Sequence, residues 1–279
     1  MKILINGADA DIKPETEKTL GEVLCILDNW LSGSGYRLSG LNVDGEIISA
    51  GSIDDIFNKD INTIDTLDIS TSSLPELLAE CYLNLIQDID EYESAGFQDK
   101  ALFAKSWKES PQACMLAEQS PDLFDNALKH FCDTGVSLEI PLRQIVFERL
   151  SELKDPAGEF IRIEPLVNNT CLNLEEMPLY LQTGKDAMAM EKISSFSSIA
   201  EKIFRIINIL KIAAYPLNDI TVNNMPIGIY ISEFDTSLKE MLGAYERQDI
   251  ILVGDLAEYE LAPRLRSLYA SILNYLKGE

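Results

Sequence analysis

Residues 64–78 read Ile64-Asp65-Thr66-Leu67-Asp68-Ile69-Ser70-Thr71-Ser72-Ser73-Leu74-Pro75-Glu76-Leu77-Leu78, and the hydrophobic period changes inside them. Up to Ile69, apolar and polar residues alternate, as they do in a half-buried strand. From Leu77 onward, Leu77, Leu78, Cys81, Leu85, Ile89 and Tyr92 share one helical face. Ser70 to Ser73 reads as a linker that also supplies an N-cap, with Pro75 at an early helical position where its missing N–H costs nothing. The switch predicts an α+β protein with a small sheet-bearing domain over residues 1–73 and a larger, mainly α-helical domain over residues 74–279.

Upstream of the switch, Ile3 and Ile5 sit in a short strand. Asn6-Gly7 is a tight-turn signal, and Ala10 to Lys13 can return as a second arm. Thr19 with Glu22 forms a capping-box pattern ahead of Leu20, Val23, Leu24, Leu27, Trp30 and Leu31, and Ser32-Gly33-Ser34-Gly35 stops that helix. Leu41 to Val43, an Asp44-Gly45 turn, Glu46 to Ser49, a short helical piece around Ile53 to Phe57 and the strand ending at Ser70 complete the segment. Hairpin, helix, two short strands, short helix and strand, in that order within about 70 residues, resemble the ubiquitin-like β-grasp fold over residues 1–71. The resemblance implies a docking role. The activation chemistry of that fold requires an exposed terminal Gly-Gly, whereas this strand continues into Ser70-Thr71-Ser72-Ser73-Leu74-Pro75.

Downstream, helices are expected at Gln98 to Trp107, Gln112 to Phe131 and Leu142 to Leu153, separated by Ser110-Pro111, Asp133-Thr134-Gly135 and Asp155-Pro156. Phe160 to Pro165 alternates briefly and predicts a short strand. Ala189, Ile193, Phe196, Ala200, Ile203, Ile207, Leu210 and Ala214 repeat at spacings of four and three, the rhythm of a packed helical seam. The seam widens after Ile203, so the helix over 185–215 needs cover on two sides, from its own chain or from a second copy. Ile220 to Val222, Asn223-Asn224 and Ile227 to Ile231 predict a second hairpin opening a hairpin-plus-helices subunit over 216–279. Residues 219–245 echo the amino-terminal hairpin and helix. Pro263 is expected to kink or divide the last helix.

The 279 residues carry 23 Lys plus Arg against 46 Asp plus Glu, a formal net charge of −23. That balance repels polyanions and argues against nucleic acid or an anionic membrane face as a partner. Residues 1–73 hold 5 of the basic and 13 of the acidic side chains. The smaller domain is thus the more densely acidic and the place to expect a basic protein partner. The start of the chain lacks the apolar run of a secretory signal. The most apolar stretch, Ile203 to Ala214, is too short to span a bilayer and contains Arg205, Asn208 and Lys211. Cys25, Cys81, Cys114, Cys132 and Cys171 are odd in number and scattered, as expected of reduced thiols in a cytoplasmic protein, with Cys25 and Cys81 in core-like helical positions.

Chemistry is sparse. The lone histidine, His130, cannot serve a mechanism that needs several, and in a helix it points away from Cys132. Gly33-Ser34-Gly35 lacks the Lys and Ser/Thr of a phosphate loop. Asp9, Asp11, Glu15 and Glu17 lack calcium-loop spacing, and Asp88, Asp90, Glu91 and Glu93 read as a solvated helix face. No catalytic residue and no cofactor is indicated. The expected function is that of a non-enzymatic adaptor, scaffold or chaperone-like protein that docks another protein through the first domain or through an apolar helical stripe at Phe204, Ile207 and Leu210. The alternative is a divalent-metal enzyme, for which Asp255 and Glu258, one helical turn apart beside Tyr259, are the candidate ligands.

Overall fold

Asn6 and Gly7 adopt positive φ, 52° and 78°, and close a two-residue turn between strands Lys2–Ile5 (β1) and Ala8–Asp9 (β2). An Asn-Gly pair suits this turn because both central positions need left-handed backbone. Helix Leu20–Gly33 (α1) opens on the expected Thr19–Glu22 capping box and buries Leu20, Val23, Leu24, Leu27 and Leu31. Strand Tyr36–Val43 (β3) returns through a second left-handed turn at Asp44 and Gly45 into Glu46–Ile48 (β4). A short helix, Ile53–Ile56 (α2), and a 3-10 turn, Ile61–Thr63, lead to strand Thr66–Ser73 (β5).

The computed structural model describes residues 1–14, 16–49, 52–132, 141–213 and 215–278. Glu15, the Asp133-Thr134-Gly135 break and the last seam position, Ala214, lie outside the described residues. The five strands form one sheet in the order β2-β1-β5-β3-β4, with β1 and β5 parallel and the other neighbours antiparallel. Ile3, Leu41, Val43, Leu67 and Ile69 pack with the buried face of α1 into one core. Both turns are fastened to β5. Asn6 Oδ1 accepts the Thr71 N–H at 2.9 Å, and Asp44 Oδ1 accepts the N–H groups of Asp65 and Thr66 at 2.9 and 2.8 Å.

Ser70 to Ser73 is not a linker. β5 runs through it, pairing Thr71, Ser72 and Ser73 with Leu38, Arg37 and Tyr36 across a register shift between Leu38 and Gly40. Sheet pairing satisfies the backbone of this polar stretch, which composition alone cannot reveal. Ser73 then closes a capping box with Glu76, so the strand passes straight into helix Leu74–Ser94 (α3). Contacts divide the chain into two units, Met1–Leu150 and Ser151–Glu279.

Helices Phe97–Lys108 (α4), Pro111–Gln119 (α5), Pro121–Cys132 (α6) and Leu142–Lys154 (α7) follow. The single helix expected over Gln112 to Phe131 breaks at Ser120-Pro121, and the buried Ser120 hydroxyl bonds that of Tyr82 at 2.7 Å. Asp88 is not simply solvated. Its carboxylate accepts Trp107 Nε1–H at 3.0 Å and Gln112 Nε2–H at 2.9 Å, and burial raises its pKa above the ordinary aspartate value. His130 is half-buried, its ring 5.6 Å from that of Tyr92 and 5.2 Å from that of Phe131. Its Nε2 is buried without a hydrogen-bond partner, and burial lowers its pKa.

The second unit contains Pro156–Arg162 (α8), Glu164–Glu175 (α9), Met177–Gln182 (α10) and the long helix Asp186–Ile212 (α11). After them come the two-residue strands Thr221–Val222 (β6) and Met225–Pro226 (β7), helices Ile227–Glu246 (α12) and Ile250–Asp255 (α13), a π-helical turn Leu256–Leu261 and Ala262–Lys277 (α14). The strand expected at Phe160 to Pro165 is helix, because Phe160, Ile163, Val167, Cys171 and Leu174 form a buried 3-4 stripe that outweighs four alternating residues. Ile227 to Ile231 is likewise the start of α12, with Ile227, Tyr230 and Phe234 in the core. The second hairpin is thus reduced to its Asn223-Asn224 turn and two residues per side. It enters its helix directly, whereas ten residues separate β2 from α1. Pro263 does not divide the helix, which runs on from the π turn Leu256–Leu261 into α14. The wider π turn before it absorbs the backbone bond that proline cannot donate.

Glu152, on the last turn of α7, is fully buried. It accepts Arg205 Nε–H at 2.6 Å and Nη2–H at 2.9 Å, with Lys202 Nζ at 3.6 Å. Glu152→Ala leaves both cations partly desolvated without this carboxylate and is expected to cost about 3 kcal/mol, read as a lower urea midpoint at unchanged m-value.

For His130 the sign follows from its lowered pKa. The unfolded chain takes up a proton near pH 6.5 before the folded chain does, so this contribution is intact above that pH and lost on acidification. The Tm difference between wild type and His130→Phe is expected to shift in favour of the variant between pH 7.5 and 5.5. Parallel melting curves across that range would exclude the assignment.

Candidate functional site

Helix α1 carries a second apolar line beside its core face. Ile26 and Trp30, four residues apart, are 52% and 56% exposed. They overlook a groove of about 450 Å³ whose opposite wall is the β1–β2 arm, lined by Ile5, Ala8, Asp9, Ala10 and Ile12, with Leu27 at its floor. A second cavity of about 250 Å³ shares Ile12, Ile26 and Leu27 and ends at Lys13, Pro14, Thr16 and Glu17. The two therefore form one apolar trough along α1. Its walls are held firmly. The arm is fixed by the Asn6–Thr71 bonds, and Gly7 N–H donates to Asp68 Oδ1 at 3.0 Å. The start of α1 is fixed by Glu22, which accepts the N–H groups of Lys18 and Thr19 at 2.6 and 3.1 Å.

The polar groups around the trough are mostly acidic. Asp9 accepts the N–H of Asp11 at 3.2 Å and lies 3.1 Å from Lys2 Nζ. The backbone bond, then the lysine, holds its carboxyl below the usual aspartate range. Glu22 is held low by its two backbone bonds. Among the described residues, the floor of the trough at Ile12, Ile26 and Leu27 carries no nucleophile, base or ligand set. The trough can bury apolar side chains of a visitor and present charge at the edges.

The other expected sites do not assemble. Asp255 is exposed and Glu258 half-buried. The carboxylates of Glu258 and Asp255 beside Tyr259 raise the tyrosine pKa. Among the described residues, no group of three or more His, Cys, Asp or Glu side chains could hold a metal ion. Nearby charges pair within the unit: Arg264 with Glu260 and Glu233, each at 3.0 Å, and Arg266 with Glu175 at 2.7 Å. The docking stripe is corrected outright. Ile207 and Leu210 are buried in the core of the second unit, and Phe204 packs partly buried against Phe234 with ring centres 5.7 Å apart. The seam of α11 packs against α8, α9 and α10 of its own unit.

Cysteine chemistry is equally quiet. Burial pushes the Cys81 thiol up to about 12 and that of Cys171 to about 11, so neither is a thiolate at neutral pH. Cys25 is exposed, not in the core as its helical position suggests. Trp30, counted with the core face in the sequence, is also displaced outward. Positions 20, 23, 24, 27 and 31 already complete the buried stripe, and the i, i+4 pair Ile26 and Trp30 beyond it was the available signal for the trough.

Comparison with known proteins adds the following. A family model described as the TP0873 N-terminal domain matches residues 1–73, which contain the whole trough. A second, described as a domain of unknown function, DUF8042, matches residues 160–271. A relative from Treponema pallidum (strain Nichols), described as an uncharacterized protein, is 22% identical over 278 residues, covering all of this chain and 99% of its own length. No solved structure matches.

The two tryptophans report the trough directly, since Trp107 is buried and Trp30 is not. Trp30→Phe is expected to remove the acrylamide-quenchable, red-shifted part of the emission, and Trp107→Phe the protected part. Equal quenching in the two variants would contradict the exposed placement of Trp30.

Proposed function

We propose that this chain is a non-enzymatic cytoplasmic adaptor, scaffold or chaperone-like protein whose residues 1–71 form a ubiquitin-like β-grasp domain that docks another protein. The strand order β2-β1-β5-β3-β4, the parallel β1/β5 pair and α1 packed on one face support the β-grasp assignment. Fold alone does not carry function. The observation that does is the trough: two large apolar side chains, Ile26 and Trp30, left more than half exposed beside a concave apolar surface on an otherwise acidic domain. Exposed apolar surface of this kind marks an interaction site, and tryptophan is among the residues that concentrate binding energy.

Two further observations fit the reading. Five cysteines without a disulfide suit a reducing compartment, and among the described residues no helix is long and apolar enough to cross a membrane.

Site-specific photocrosslinking in the native cell tests the proposal. A benzophenone side chain at position 26 or 30 is expected to capture one discrete protein. The same group at Ile229, an equally exposed apolar position on α12, is expected not to. The same product from all three positions, or none from 26 and 30, would sink the docking role of the trough.

A further inference from the structure

We propose that the trough takes an amphipathic helix of a partner protein, with its apolar face on α1 and lysines or arginines along its polar face. This rests on the docking reading above and adds the chemistry of the occupant.

Four carboxylates surround the apolar surface. Asp9 lines the groove from β2, with exposed Asp11 just beyond it. Glu17 closes the far cavity, and exposed Glu22 lies one turn before Ile26 on α1. Three ammonium groups oppose them: Lys13 at the far cavity, Lys2, which is engaged by Asp9, and Lys18, whose charge acts on Glu22. The excess is negative at the rim and larger over the domain, where 13 acidic residues face 5 basic ones. An acidic visitor is repelled and a basic one attracted over the Debye length of about 8 Å. The floor of Ile5, Ile12, Ile26 and Leu27 offers nothing polar, so a cation without apolar anchors leaves it uncovered. Trp30, at the mouth, gives a ring face to a passing Lys or Arg.

The geometry of β2 selects a helix over an added strand. β2 has two residues, its neighbouring Asp11 N–H is already taken by Asp9, and Asp11 has a φ of 48°, which bends the chain off the sheet edge. Backbone pairing along that edge is therefore short and blocked, and a visitor must bind through side chains, as a helix in a groove does.

The experiment uses the full chain and two fluorescent 18-residue helical peptides that share one leucine face, one with lysine and one with glutamate on the polar face, followed by anisotropy at low and physiological salt. The lysine peptide is expected to bind and to weaken as salt rises. Trp30→Ala and Ile26→Asn should each weaken it about tenfold, and Asp11→Asn with Glu17→Gln about threefold. Ile229→Asn, elsewhere on the surface, should leave it unchanged. Unaltered circular dichroism of these exposed-site variants excludes misfolding as the cause. If the glutamate peptide binds as tightly and loses affinity with Trp30→Ala, the basic occupant is wrong while the docking role stands. If neither peptide binds, or lysine-peptide binding ignores Trp30→Ala and Ile26→Asn, the amphipathic basic helix is overturned, and the crosslinking result decides the docking role separately.

Discussion

The parallel pairing of β1 with β5 is the constraint from which the first 73 residues follow. Two parallel neighbours cannot be joined by a tight turn, so the chain between them must leave the sheet and return. That excursion carries α1, β3 and β4, and it lays α1 across the face on which Ile3, Leu67 and Ile69 point. β5 ends up in the middle of the sheet, where it also receives the side chains that hold both left-handed turns. The position of the β1–β2 arm relative to α1, and hence the width of the trough, is set by this one strand.

Polar side chains inside the protein serve chiefly to fix helices against one another. Asp88 ties α3 to the indole of Trp107 on α4 and to Gln112 on α5. Glu152 ties the end of α7 to α11 through Arg205. Both acids are satisfied by geometry that packs no substrate, in keeping with structural use. The π turn at Leu256–Leu261 has a similarly local cause in Pro263, although π turns elsewhere often mark functional sites. Ile26 and Trp30, by contrast, lie outside the core of the first 73 residues and flank the groove on α1.

Much of the local structure was legible in the residues. The capping box Thr19–Glu22, the Asn6-Gly7 and Asp44-Gly45 turns and the helical seam of α11 each depend on contacts a few residues long, and each is where its pattern places it. The misreadings share one cause. Phe160 to Pro165 and Ile227 to Ile231 contain brief alternation or β-branched runs, but their core contacts recur every three or four residues over a longer span, and burial of that stripe overrides local preference. Ser70 to Ser73 failed in the other direction, because a polar stretch becomes strand when a distant partner, β3, satisfies its backbone.

By itself the sequence determined the α+β class, the change of period near residue 73, the turns and the caps, since these rest on near-neighbour chemistry. Only the tertiary structure decided which apolar residues are hidden. Phe204, Ile207 and Leu210 resemble an interface in one dimension yet lie in or against a core because α8, α9 and α10 pack on α11 and Phe234 of α12 meets Phe204. Trp30 has the spacing of a helix core residue yet faces outward beside Ile26, because five neighbouring positions already fill the sheet side of α1. A helix has one buried arc, and which arc it is depends on what packs against it, a fact held by the fold as a whole and by no single segment.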